Sequence, residues 1–304
     1  MNTGKKKALA LDLDGTLLTS DKKISPLTRE KLEALLGAGH VLILASGRPT
    51  PGMRFVVKDL GFHRPGCCMV TYNGAYVQDC GTGEVLFDKT LPASVPGELF
   101  RLLRQERPLP GLITYLDTEI LSAFPENEFT ARTSRNNAMP VRVVPDFDTY
   151  VDFPVHKCMI TAPEETAARL ERKLKEVYGE TLSICRSESY FLEVMPAGTS
   201  KAAGLAMVLD YLGMGPEALV CCGDGENDIP MIRYAGVGVA MGNARESVKA
   251  AADFVTGSND EDGLAQVVDR FFLTRTDGRA QICGKHHPAG SGTEDPEEAG
   301  AGGL

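Results

Sequence analysis

The 304 residues are 43% hydrophobic and 24% charged, a globular balance that excludes both a disordered chain and a membrane protein and leaves room for one large domain or two ordinary ones. With 32 Lys and Arg against 41 Asp and Glu, the formal net charge is −9, and no basic stripe interleaved with aromatics is present, so nucleic acid is not an expected partner. The Lys5-Lys6-Lys7 run meets an apolar stretch that Asp12 and Asp14 cut off too early for a secretory signal, and no segment is long enough to span a bilayer.

Residues 7–13 begin as an apolar strand and end in acid. Ser25-Pro26 then opens a helix to about Gly37, a capping hydroxyl followed by a proline whose missing N–H costs nothing in the first turn. HVLILA at 40–45 predicts a strand buried on both faces, as parallel strands between helix layers are. A helix is expected over 53–60 and a third strand over 67–72. The alternation implies a parallel α/β sheet. After Asn73-Gly74 the pattern changes, and AYVQDCGTGEVLF reads as two short strands joined at Gly81-Thr82-Gly83.

Helices over 94–107, 126–137 and 164–178, with strands over 112–115, 156–161 and 182–186, predict an inserted α+β domain. In it His156 and Lys157, polar residues entering a strand, read as a solvated edge. The alternation resumes with a helix at 200–212, a strand at 218–222, a helix from about Asp228 and a strand at 237–240. Residues 1–82 and 192–273 are thus expected to form one discontinuous core around an insertion at 83–191. The eight cysteines include the pairs Cys67-Cys68 and Cys221-Cys222 in apolar runs and no CxxC spacing. They read as reduced, strand-buried thiols, which fits a cytoplasmic enzyme. Residues 274–304, rich in Gly, Pro, Glu and Ala, are expected to be a disordered tail. Cys283, His286 and His287 fall there, three candidate metal ligands without a nearby fourth.

Four stretches carry candidate chemistry. Leu11-Asp12-Leu13-Asp14-Gly15-Thr16 runs from an apolar strand into two carboxylates on the same side. Ligands of open α/β sheets bind beyond such strand ends. Two close carboxylates repel unless a cation or a shared proton relieves them. A solvated acidic turn, a metal clamp for a nucleotide sugar, and an Asp12 nucleophile toward phosphorus, with Mg²⁺ screening charge and Asp14 exchanging protons, all fit that pattern. Ser46-Gly47-Arg48 follows a buried strand, where Ser46 either donates to a phosphoryl oxygen beside the Gly47 N–H or caps a helix. Thr199-Ser200-Lys201 opens a helix, so Lys201 either reinforces an anion site or is a surface lysine. Gly223-Asp224-Gly225-Glu226-Asn227-Asp228 follows another buried strand with more acid than a turn needs.

DLDGT at 12–16, SGR at 46–48, NGA at 73–75, Lys201 in PAGTSK, GDGENDIPM at 223–231 and MGNA at 241–244, in that order, make this sequence similar to the haloacid dehalogenase superfamily, and within it to the Cof-like hydrolases. The similarity runs from about Ala8 to Phe272. It implies a Rossmann-like core carrying an α+β cap inserted after the third core strand. It further implies that Asp12 is the nucleophile, that Asp14 protonates the leaving oxygen and then activates water, and that Thr16, Ser46, Gly47, Lys201 and Asn227 hold the phosphoryl oxygens. Asp12, the main-chain carbonyl of Asp14, and Asp224 would bind Mg²⁺, with Asp228 in or just behind them. Asn73 and Gly74 would line the substrate side or form a plain turn, Arg48 would reach substrate or brace its loop, and Glu193 is open in the same way. The expected activity is hydrolysis of small phosphate monoesters, sugar phosphates or related metabolites, through an aspartyl-phosphate. A phosphomutase of the same superfamily and a non-enzymatic phospho-acceptor module are the alternatives. A glycosyltransferase would leave Lys201 and the acids at 224–228 unexplained.

Overall fold

In the computed structural model, which describes residues 5–273, the first stretch of chain builds β1 (Ala8–Leu11), α1 (Pro26–Gly37), β2 (Val41–Ala45), α2 (Arg54–Asp59), β3 (Cys67–Thr71), β4 (Tyr76–Asp79) and β5 (Val85–Asp88). The middle stretch builds α3 (Val95–Leu103), β6 (Gly111–Tyr115), β7 (Ile120–Ser122), α4 (Glu128–Asn137), β8 (Val141–Val143), α5 (Phe147–Tyr150), β9 (Cys158–Thr161), α6 (Glu164–Tyr178), β10 (Leu182–Glu188) and β11 (Phe191–Pro196). The chain returns with α7 (Lys201–Tyr211), β12 (Leu219–Gly223), α8 (Ile229–Tyr234), β13 (Val237–Ala240), α9 (Glu246–Ala251), β14 (Phe254–Val255) and α10 (Gly263–Val268).

Among the described residues an eight-stranded sheet has the order β14-β13-β12-β1-β2-β3-β4-β5, parallel from β14 to β3 and antiparallel beyond. Every residue of β1, β2, β3 and β12 is buried, the pattern of strands covered on both faces. Period-2 alternation divides them between two cores. Leu9, Leu11, Leu42 and Leu44 pack with Leu32 and Leu35 of α1 and with Leu264 of α10. Ala8, Ala10, Val41 and Ile43 pack with Leu205 and Val208 of α7. Leu11 is level with Leu44 on one side and Cys222 on the other, so β1, β2 and β12 end together. The chain winds from β1 through β2 to β3 and later returns to the other side of β1 with β12. That reversal makes the β1/β12 tip the switch point where open α/β sheets bind ligands.

A six-stranded sheet, β10-β11-β9-β6-β7-β8, is antiparallel except for β7 with β8. One face carries its own core with α3 and α6. The other sets Ile113, Tyr115, Met159 and Phe191 against Tyr72 and Ala75 of the segment after β3. The architecture is therefore a Rossmann-like α/β core with an α+β insertion.

Several element bounds differ from the sequence reading. The division expected at 82 and 192 falls elsewhere in the sheets: Val85–Asp88 closes the first sheet, and Phe191–Pro196 lies wholly in the second. The helix expected over 94–107 stops at Leu103, short of Pro108, before which helical backbone is disfavoured. The strands β7 and β8 and the single-turn α5 are too short to leave a periodic signal. His156 and Lys157 precede β9 instead of opening it, and Lys157 is 2% exposed, so the solvated-edge reading fails for it. The paired cysteines are buried free thiols, as expected. Cys283, His286, His287 and the tail from 274 lie outside the described residues. No helix among the described residues is long and apolar enough to cross a membrane.

Candidate active site

Asp12 continues the β1 ladder by one bond, its N–H donating to the Cys222 carbonyl at 3.0 Å, and so stands at the tip between β1 and β12. Gly15 turns the chain back with φ +83°, and a Cβ there would come within 2.3 Å of an Asp224 carboxylate oxygen, so this position needs glycine for both conformation and space. Thr16 donates its hydroxyl to Asp224 at 3.1 Å. Just past β12, Asp228 Oδ2 accepts the Asp224 and Gly225 amides at 3.0 and 2.9 Å, fixing the acidic turn from within.

Lys201 is the first residue of α7, whose N-cap Ser200 accepts the Ala203 amide at 3.1 Å. Its side chain is 1% exposed, and its Nζ lies 2.5 Å from Asp12 Oδ1 and 2.6 Å from Asp228 Oδ1. Of the two sequence readings, the surface lysine is the one that fails. Carboxylate oxygens of Asp12, Asp224 and Asp228 fall within 4.8 Å of one another. Three carboxylates against one ammonium leave surplus negative charge. Burial, followed by the neighbouring carboxylates, pushes the Asp12 carboxyl well up despite the opposing Lys201. Burial and then Asp228 raise Asp224 to about 6, against Thr16 and Lys201. Burial works against the charged form of Lys201, but Asp12 and Asp228 outweigh it and push the ammonium pKa above its ordinary value. An all-oxygen, net-negative donor set of this kind suits a hard divalent cation such as Mg²⁺.

Asp14 is separate from that group. Its carboxylate is gripped by Arg48, with Nε at 2.7 Å from one oxygen and Nη2 at 2.8 Å from the other, and by Lys22 at 2.7 Å. Burial pushes this carboxyl up, but the two cations overcome it and hold it down at about 2. The Asp14 carboxylate is thus engaged with cations and is not one of the three clustered carboxylates, which leaves its main-chain carbonyl as the metal-side group the sequence reading named. Arg48 also donates to the Asn136 carbonyl at the end of α4, so it braces its loop, Asp14 and the insertion together.

The Ser46–Arg48 loop is stitched to the segment after β3: the Ser46 amide donates to Val70, the Asn73 amide to Ser46, and the Tyr72 amide to Arg48. Asp12, Asp14, Ser46, Gly47, Arg48, Asn227 and Asp228 all line one cavity of about 210 Å³. Lys22 and Arg132 add cationic lining that the sequence did not single out. Asn73 and Gly74 lie just behind the lining residues, in the tight turn that the sequence reading gave as the alternative to a substrate-side role. The Asn73 amide donates to Glu193 at 2.5 Å and its oxygen faces Asn227 at 3.4 Å. Gly74 abuts α7 so closely that a Cβ would lie 2.2 Å from the Ser200 carbonyl. Lys157 and Glu193 line the cavity from the second sheet as a pair 2.9 Å apart, with side chains 3% and 4% exposed. The sequence reading left Glu193 open and put Lys157 on a solvated edge; it could not foresee their pairing, because their burial depends on how the two sheets meet.

Carboxylates gathered at the switch point of a doubly wound sheet put this protein among the α/β enzymes. Residues 9–268 match the model of the haloacid dehalogenase-like hydrolases, and the chain belongs to that family. It is 30% identical to the 5-amino-6-(5-phospho-D-ribitylamino)uracil phosphatase YitU of Bacillus subtilis, over 87% of this chain and 97% of that one. A haloacid dehalogenase-like hydrolase from Bacteroides thetaiotaomicron superposes with a TM-score of 0.82 at 38% identity, covering 88% of this chain and all (100%) of the other. A solved sugar phosphatase of HAD subclass IIB superposes with a TM-score of 0.73 at 28% identity, covering 88% and 100%.

Proposed function

We propose that this hydrolase is a Mg²⁺-dependent phosphatase of small phosphate monoesters, sugar phosphates or related metabolites, working in the cytoplasm through a phosphorylated Asp12. The observation that carries the reading is the convergence of Asp12, Asp224, Asp228 and Lys201 at the β1/β12 tip. The relatives named as phosphatases support the same chemistry. Residues 1–82 and 192–273, adjusted for β5 and β11, would act as the catalytic core and the insertion as a cap over it.

Lys201 donates to Asp12 Oδ1 and so orients the carboxylate whose oxygens would meet phosphorus and the cation. Lys201 keeps the nucleophile oriented and opposes the neighbouring acids that favour its protonation. Asp12, Asp224, Asp228 and the main-chain carbonyl of Asp14 are the groups that would hold Mg²⁺. When bound, the cation screens these carboxylates and stabilises charge on the transferring phosphoryl group. Ser46, the Gly47 amide, Lys201 and Asn227 would grip the phosphoryl oxygens, since phosphoryl transfer asks chiefly for position and charge neutralisation. Thr16 acts one step back, by orienting Asp224.

Asp14 in its Arg48 and Lys22 grip is ionised, the state that takes a proton from water attacking the phospho-aspartate. Donating a proton to the leaving oxygen requires Arg48 and Lys22 to release it. A panel of phosphorylated metabolites assayed for released phosphate, with Mg²⁺ and with chelator, tests the reading. Turnover of several esters that chelation abolishes is expected. Turnover indifferent to chelation, or none with any ester, contradicts it.

A further inference from the structure

Lys157 and Glu193 form a buried ion pair that the proposed chemistry leaves unused. A buried pair of opposite charges seldom stabilises a fold more than apolar residues of the same size would, so its presence calls for another reason. Its contacts supply one. Lys157 Nζ donates to the Gly47 carbonyl at 2.7 Å as well as to Glu193 Oε1 at 2.9 Å, and it sits 5.6 Å from the Tyr115 ring centroid. Ser187 donates to the same Glu193 oxygen at 3.0 Å, and the other oxygen accepts the Asn73 amide at 2.5 Å.

The Gly47 carbonyl and the Arg48 N–H belong to one rigid peptide plane. Lys157 holds its oxygen end, and Ser46 Oγ accepts its N–H at 3.1 Å. Ser46 accepts there and lines the cavity, so its own hydroxyl hydrogen remains available as a donor. On the other arm, Glu193 fixes the Asn73 amide, whose oxygen faces Asn227. Tyr72 and Asn73 both lie in the left-handed region, φ +51° and +53°; asparagine tolerates it and the bulky tyrosine does not, so the turn gains from being held.

We infer that the Lys157–Glu193 pair is a strut by which the inserted sheet positions the phosphoryl-gripping arc of the core, through Gly47 on one side and Asn73–Asn227 on the other. Both are positioning residues, and the inference rests on the phosphatase reading of the same site. The strut acts on the phosphoryl group common to all substrates and not on the leaving group.

The test uses the full chain with the double substitution Lys157→Met/Glu193→Gln, which removes both charges while keeping size and an acceptor for Asn73. The single Lys157→Met, which strands a buried carboxylate, serves as the comparison for folding. Melting temperature, kcat/KM for esters with unlike leaving groups, and inhibition by inorganic phosphate are measured. The double variant is expected to melt near the unsubstituted protein, to lose about 100-fold in kcat/KM by the same factor for every ester, and to bind inorganic phosphate at least about tenfold more weakly, the scale of a misplaced group. A folded double variant of undiminished kcat/KM and phosphate inhibition overturns the strut alone. A loss that varies from ester to ester also overturns it, by placing Lys157 on the leaving group. An unsubstituted protein that hydrolyses no phosphate ester overturns the phosphatase reading, and the strut with it.

Discussion

Asp12 and Asp228 share one ammonium with Asp224 close beside them, and the resulting charge imbalance has a measurable sign. A carboxyl whose folded pKa lies above its unfolded value binds its proton more tightly when folded, so its contribution is complete below the unfolded value and is lost as pH rises through the folded one. Asp224, raised from 3.8 to about 6, follows this rule, and Asp12 shifts in the same direction. Asp14, lowered from 3.8 to about 2 by Arg48 and Lys22 against the pull of burial, has the opposite sign: its contribution is present above 3.8 and fades only as pH falls toward about 2. In chelator, therefore, the melting temperature is expected to fall between about pH 4 and 7, and added Mg²⁺ is expected to restore it at the upper end, since a ligand of the folded state alone stabilises it. Scanning calorimetry across that range checks the sign. A melting temperature that rises through the window, or no response to Mg²⁺, contradicts the assignment.

At the scale of elements, the site depends on where strands and helices end. β1, β2 and β12 finish level, and α7 starts where Lys201 can reach between the acids. The Ser200 cap fixes that start, so Ser200→Ala is expected to destabilise the protein by about 1 kcal/mol in denaturant titration, the usual worth of a capping hydroxyl. No loss of stability would mean that the ion pairs of Lys201 hold the helix end unaided. Most of these elements were legible in the sequence, because an apolar run that ends in acid or glycine signals both a buried strand and the turn after it. The positions of Asp12, Asp14, Ser46, Lys201, Asp224 and Asp228 followed from those endings. Three-residue strands such as β7 and β8 have too few residues for any period to register.

What the sequence did not reveal belongs to the molecule as a whole. Lys157 and Glu193 lie far apart along the chain from Gly47 and Asn73, and only the meeting of the two sheets buries them together. The sequence left Arg48 between reaching substrate and bracing its loop, and only the assembled molecule shows its guanidinium spanning Asp14 of the core and Asn136 of the insertion. Thr16 and Asn73 sit inside recognisable motifs, and their side chains bond to Asp224 and Glu193, partners that the motifs alone do not name. At a net charge of −9 the molecule repels anions at long range, so the proposed phosphate chemistry relies on local cations. Of those lining the cavity, Arg48 and Lys22 are paired with Asp14 and Lys157 with Glu193, while Lys201 is bonded to Asp12.

The proposed chemistry converges on one bond, between an Asp12 oxygen and phosphorus. Quenching the enzyme with acid during turnover of an aryl phosphate and reading its peptides by mass spectrometry examines that bond directly. One phosphoryl group on Asp12, absent from an inactive Asp12→Asn variant, is the expected result. Phosphorylation at another residue, or full turnover by Asp12→Asn, would contradict it.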